Sequence, residues 1–168
     1  MNFHTKSGVL PVVKKGDLYE MDFPARMPAP ISVTPLMEQA IGIPVREVHL
    51  SRDLLLLVDS ERQVKNLSPD FDLIAKLPDG MAVMVTAKGD KVDFVSRFFA
   101  PKVGIHEDPV TGSSHCTLIP FWAEKLKKDR MTAKQLSQRG GTLYCSDCGD
   151  RVKIAGKAAL YLKGEIEI

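Results

Sequence analysis

The sequence predicts an α+β protein, a curved, largely antiparallel mixed sheet wrapped around a central buried helix. Three observations carry this. Residues 112–128 have helical spacing, yet Cys116, Leu118, Ile119, Phe121, Trp122 and Ala123 lie all round the axis instead of on one stripe, and a helix apolar on every side is normally buried on every side. Pro120 sits inside that helix, where it removes a hydrogen bond to the carbonyl of Cys116 and should bend the axis. Around this segment, short runs such as residues 151–155 alternate apolar and polar side chains with the period of strands.

The elements follow in order. Residues 3–24 spell a β-hairpin, in which residues 9–13 and 18–23 are the arms and Lys14, Lys15, Gly16 and Asp17 the turn. Residues 24–30 hold three prolines, which no regular ladder tolerates, and are expected to be a linker or crossover. Thr34 and Pro35 open a short helix that Gly42 closes. Residues 45–50 and 54–58 are strands, the second apolar throughout, as in a strand covered on both faces. A helix capped by Ser68 runs to Leu77, and strands are expected at 81–87 and 92–99. Residues 131–138 have helical propensities but sit in an alternating context and are assigned as a strand. Further strands are expected at 151–155, 158–162 and 165–168. The resulting division is a hairpin (1–24), a linker (25–33) and a main domain (34–168).

Composition narrows the function classes. The 168 residues carry a formal net charge of +2, without the clustered basic face that nucleic acid requires. Lys125, Lys127, Lys128 and Arg130 suit the solvated C-terminus of a helix. The longest aliphatic run, residues 54–58, is far below the roughly twenty residues that span a bilayer, so no membrane partner is expected. Three cysteines, an odd number, with no signal-peptide pattern at the N-terminus, point to reduced thiols in a soluble cytoplasmic protein. Cys145 and Cys148 form a single Cys-x-x-Cys; a structural zinc site needs four ligands, so they are expected to be incidental. Cys116 points into the core.

Chemistry concentrates in residues 106–115, His-Glu-Asp-Pro-Val-Thr-Gly-Ser-Ser-His. Pro109 keeps Asp108 extended at the loop edge. Thr111, Gly112 and Ser113 occupy the helix start, where free backbone N–H groups and the positive end of the dipole suit a carboxylate. Gly112 lets a ligand approach the backbone, and the Ser113 hydroxyl adds a donor or acceptor. Asp108 is then placed to take an amine or hydroxyl of the same small molecule. The same residues also make an everyday cap and an everyday turn.

Arg97-Phe-Phe-Ala-Pro, then Glu107-Asp-Pro-Val-Thr-Gly-Ser-Ser-His115, then Phe121-Trp-Ala, closely resemble the C-terminal signature of the PhzF (phenazine-biosynthesis-like) family. Upstream, Phe3, Thr5, Ser7-Gly8, Leu10 and residues 21–24 are similar to its mid-chain hairpin. Downstream, residues 137–141, 151–154 and 156–159 are similar to its closing strands. The resemblance implies half of a diaminopimelate-epimerase-like two-domain fold, each half a curved sheet around a helix, with the active site in the cleft between them. It implies an isomerase that moves a proton on a small carboxylic acid without metal or organic cofactor. Asp108 and Ser113 match the family's catalytic positions. Gly112 matches its amide cradle; Thr111, Ser114 and His115 join it as candidate substrate-binding residues, His115 equally as a support of the loop.

The family's acid/base glutamate and its second helix start match no residue here. The resemblance therefore implies a fragment, a truncated product or one piece of a split enzyme, with a missing N-terminal half or a homo-oligomeric partner. The alternative is a catalytically silent carboxylate-binding or interaction module.

Overall fold

The computed structural model describes residues 1–5 and 8–165. Its strands are β1 (Asn2–Thr5), β2 (Gly8–Lys15), β3 (Leu18–Pro24), β4 (Ala29–Ile31), β5 (Glu47–Leu50), β6 (Leu54–Leu57), β7 (Val83–Lys88), β8 (Phe94–Phe99), β9 (Arg130–Gln135), β10 (Gly141–Asp147) and β11 (Arg151–Lys157). The helices are α1 (Pro35–Ile41), α2 (Glu61–Lys65), α3 (Phe71–Lys76) and α4 (Gly112–Leu126). The strands form one open sheet in the order β1-β2-β3-β11-β10-β9-β8-β7-β6-β5-β4. Among the described residues only β6 with β7 and β8 with β9 pair in parallel. The expectation of an α+β fold with a largely antiparallel mixed sheet is met.

Those two parallel pairs need crossovers. The first carries α2 and α3, the second α4. Strand residues alternate between two cores accordingly. Leu54 and Leu56, Val83 and Val85, and Val95 and Phe99 pack with α1, α2 and α3. Leu55, Met84, Phe94 and Phe98 pack instead with α4, which also meets Met131, Leu143, Val152 and Ile154. Alternate residues of a strand point to opposite faces, so the helices divide between the two faces of the sheet.

Every residue of α4 from Ser114 to Ala123 is buried, as its all-round apolar sequence implies. Trp122 stacks on Phe94 at 5.7 Å and donates from Nε1 to Thr86 Oγ1 at 2.9 Å. Because Pro120 has no N–H, the Cys116 carbonyl is left over from the helical ladder; the Arg26 amide donates to it at 2.8 Å.

Several expectations need correction. Residues 24–30 are not wholly irregular, because β4 pairs with β5 there; it is the last strand of the sheet, where Pro30 does no harm. The α3 cap is Asp70, whose side chain accepts from the Leu73 amide, and not Ser68, which lies two residues too early. Helix α2 was not anticipated, although Ser60 and Gln63 form a capping box. The opening hairpin gains a third strand, β1, and β3 pairs with β11 over seven residues. Residues 158–162 form no strand, and 166–168 lie outside the described residues.

Candidate active site

The segment between β8 and α4 is held at nearly every step. Arg97 donates from Nε and Nη2 to the two carboxylate oxygens of Glu107 at 2.7 and 2.8 Å, and from Nη1 to the Leu67 carbonyl. The Asp108 amide donates to the Phe98 carbonyl at 3.0 Å. Ser137 Oγ donates to the Pro109 carbonyl at 2.7 Å. Bidentate arginine–carboxylate pairs are strong and geometrically exacting, so Glu107 aims the residue that follows it.

Gln135 closes the turn. It is 1% exposed; its Nε2 donates to the Asp108 carbonyl at 2.6 Å and its Oε1 accepts from the Thr111 amide at 2.8 Å. The Thr111 hydroxyl donates to Asp108 Oδ2 at 2.7 Å. Thr111 is the N-cap of α4, yet its side chain makes no capping bond. The same oxygen accepts from Gln135 Nε2 at 3.1 Å and not from a first-turn amide, so the helix start lacks a side-chain cap.

Asp108, Thr111 and Ser113 line one cavity of about 220 Å³ together with Arg52 and Asp53. Gly112 lines a different and larger one, about 870 Å³, with Val110 and Gly141. A Cβ added at Gly112 would meet nothing within 4 Å, so the backbone there faces open space. Ser114 and His115 line neither cavity. Both are fully buried, and both turn inward: Ser114 Oγ donates to the Thr111 carbonyl at 2.9 Å, and His115 Nδ1 donates to it at 2.7 Å. Burial holds the His115 imidazole down at about 4, against a smaller upward pull from the Thr111 carbonyl. His115 Nε2 is buried with no hydrogen-bond partner among the described residues. Of the six expected site residues, four reach a cavity and two brace the helix start from beneath.

Cys116 is buried among the core residues, and burial raises its thiol above the ordinary range. Burial pushes Cys145 up to about 12, while Cys148 is exposed in the turn between β10 and β11. Among the described residues no group of three or more His, Cys, Asp or Glu is placed to hold a metal ion. No helix among them is long and apolar enough to cross a membrane.

Sequence reasoning missed Arg52 and Gln135. Gln135 carried a signal: on β9 it shares the buried face with Met131 and Ala133, and a polar residue on an apolar strand face has a hydrogen-bonding duty. Arg52 carried none, since it meets Ser113 across 61 residues of sequence.

This sheet-rich α+β fold with its buried helix is shared with solved structures. The structure of a predicted epimerase from Pseudomonas aeruginosa superposes with a TM-score of 0.62 over 94% of this chain and 62% of its own, at 15% identity, a likeness of fold alone. The chain belongs to the phenazine biosynthesis-like (PhzC-PhzF) family, whose profile matches residues 1–164. A PhzF-family crystal structure from Enterococcus faecalis is 44% identical, with a TM-score of 0.95, covering 100% of this chain and 65% of its own. An uncharacterized isomerase of Pseudomonas aeruginosa is 48% identical over 169 residues. The chain spans 64% of the length of that relative.

Proposed function

We propose that the chain carries the carboxylate-binding half of a cofactor-independent isomerase acting on a small carboxylic acid. The observation that carries this reading is the Thr111 hydroxyl, which donates to Asp108 Oδ2 and accepts from Gln135 Nε2 and makes no capping bond to α4. The first-turn amides are left for an anionic ligand, and Asp108 is held to accept from an amine or hydroxyl beside it. Asp108 and Ser113 act as catalytic residues at that ligand, and Thr111 and Gly112 shape its cradle. Ser114 and His115 act as positioning residues that brace the Thr111 carbonyl.

Moving a proton between carbons also needs a general acid/base within hydrogen-bond reach of the carbon that loses it. In this reading that group comes from polypeptide corresponding to the part of the relatives outside the match. The sheet curving around α4 is then one half of a two-domain fold, with residues 25–33 linking the hairpin 1–24 to 34–168. Exposed Phe3, Val9 and Val13 on the hairpin suit association with that partner or with a second copy.

The test is deuterium incorporation into a panel of amino and hydroxy acids in heavy water. The 168 residues alone are expected to give none. Adding the complementary segment of a full-length relative is expected to give exchange that Asp108→Asn lowers by about a hundredfold or more. Exchange by the chain alone, indifferent to Asp108→Asn, contradicts the reading.

A further inference from the structure

A row of polar side chains crosses the sheet beneath α4. Thr86 of β7 lies opposite Ser96 of β8, and Ser96 lies opposite Gln135 of β9. Residues paired directly across strands share a face of the sheet. Thr86 Oγ1 accepts from Trp122 Nε1, and Gln135 Oε1 accepts from the Thr111 amide, so the shared face is the one towards α4. Ser96 therefore points at α4 as well, on the same side of β8 as Phe94 and Phe98, which pack there.

The two ends of the row are engaged. Thr86 Oγ1 also donates to the Val95 carbonyl at 2.7 Å, and Gln135 bonds through both atoms of its amide. In the middle, Ser96 is 1% exposed and its Oγ has no hydrogen-bond partner among the described residues. The same holds for His115 Nε2 on α4. Two contacts fix the imidazole: Nδ1 donates to the Thr111 carbonyl at 2.7 Å, and the ring centroid stands 6.0 Å from that of Phe94. Thr111 is held by Gln135, the cross-strand neighbour of Ser96. Phe94 is the next residue along Ser96's own side of β8. The ring is thus bracketed by the two nearest neighbours of Ser96, which brings the two unpartnered polar atoms to the same place in the core.

Their chemistry is complementary through one intermediary. A carbonyl can only accept, so Nδ1 carries the proton of the neutral ring and Nε2 presents a lone pair. A serine hydroxyl offers one proton and two lone pairs. Buried polar groups are almost always satisfied, and ordered water serves where protein atoms do not. We infer that an internal water-binding site joins Ser96 Oγ to His115 Nε2, the water donating to Nε2 and accepting the Ser96 proton, and that Ser96 is thereby a positioning residue for the turn before α4. Ser96 is the smallest side chain on its face of β8, between Phe94 and Phe98, which suits a molecule whose share of volume is about 30 Å³. With Nε2 engaged the imidazole cannot turn over, and Nδ1 stays on the carbonyl of Thr111, whose hydroxyl orients Asp108. The water site stands whatever ligand the start of α4 takes, because both of its partners are core atoms.

The experiment pairs a crystal structure of the 168-residue protein, at a resolution that shows ordered water, with nuclear Overhauser spectra in solution. One density peak is expected within hydrogen-bond distance of both Ser96 Oγ and His115 Nε2, together with a cross-peak from water to the His115 ring protons. Two variants of the same shape then isolate the hydroxyl. Ser96→Val is expected to abolish the cross-peak and move the His115 Nε2 nitrogen resonance towards that of an unbonded imidazole nitrogen. Ser96→Thr, which keeps the hydroxyl, is expected to leave that resonance near its parental position. A Ser96→Val protein that melts lower while the Nε2 resonance stays put has lost packing alone, and this overturns the positioning role. A direct hydrogen bond between Ser96 and His115 in the crystal, or no density between them, overturns the water site, and that reading needs no variant to fold.

Discussion

The backbone amide of Arg26 takes the place of the one that Pro120 lacks, donating at 2.8 Å to the carbonyl of Cys116. The connector between β3 and β4 is thereby stitched into the middle of the buried helix, next to the Ala25 amide bonded to the Asp150 carbonyl. A buried carbonyl stripped of its donor costs about 1–3 kcal/mol. Arg26→Pro should therefore destabilise the protein by about that much, and Arg26→Ala, which keeps the N–H, by much less. In a Pro120→Ala background the helix regains its own donor, and the cost of Arg26→Pro should shrink. Urea denaturation of the four proteins in this cycle measures the coupling.

Gln135 is expected to be the most sensitive position outside the cavity wall. Gln135→Ala leaves the Thr111 amide and the Asp108 carbonyl without their side-chain partner. The expected loss is about 3 kcal/mol of stability, accompanied by weaker carboxylate binding as Asp108 loosens. Chemical denaturation and ligand titration of the same variant check both. Unchanged stability would mean that the clamp is replaceable.

Gly141 lies where a Cβ would stand 2.6 Å from Val110 Cγ2. Valine is stiff at χ1 and has little room to yield. Gly141→Ala is thus expected to push Val110 and the turn that follows it, with a cost of about 1–3 kcal/mol as in overpacked cores. Stability and carboxylate affinity should fall together. Gly112→Ala, into open space, should leave stability intact.

The acid side of the stability profile should bear the mark of His115. Its folded-state value of about 4 lies below the ordinary 6.5 because burial disfavours the charged ring. The unfolded chain therefore binds this proton more readily, and stability contributed by the neutral ring is lost as pH falls from about 6.5 towards 4. The limiting slope for one proton is about 1.4 kcal/mol per pH unit. Denaturant midpoints collected between these values should flatten in His115→Asn relative to the parent.

Local signals made much of this legible in the sequence. Thr34, Pro35 and Gly42 marked α1 because capping is a matter of adjacent residues, and the structure uses all three. The burial of α4 could be read because no face of it was polar. Short elements were harder. Helix α2 has five residues, too few for periodicity, and only its capping box betrays it. At 158–162 the alternation promised a strand, but a strand needs a neighbour, and residues 158–165 have none in the described sheet. The site divides in the same way. Asp108, Gly112 and Ser113 sit in one contiguous motif, whereas Arg52 and Gln135 reach it through sheet order, which alternation alone does not specify.

The most direct test of the account is to locate a bound carboxylate on the molecule. Backbone amide spectra of uniformly ¹⁵N-labelled protein, titrated with a small monocarboxylate, should show the largest shifts at Gly112 and Ser113, with smaller ones at Asp108 and Thr111. Gly112→Leu should remove those shifts while the rest of the spectrum stays folded. Shifts concentrated elsewhere, or unchanged in Gly112→Leu, would contradict a carboxylate site at the start of α4.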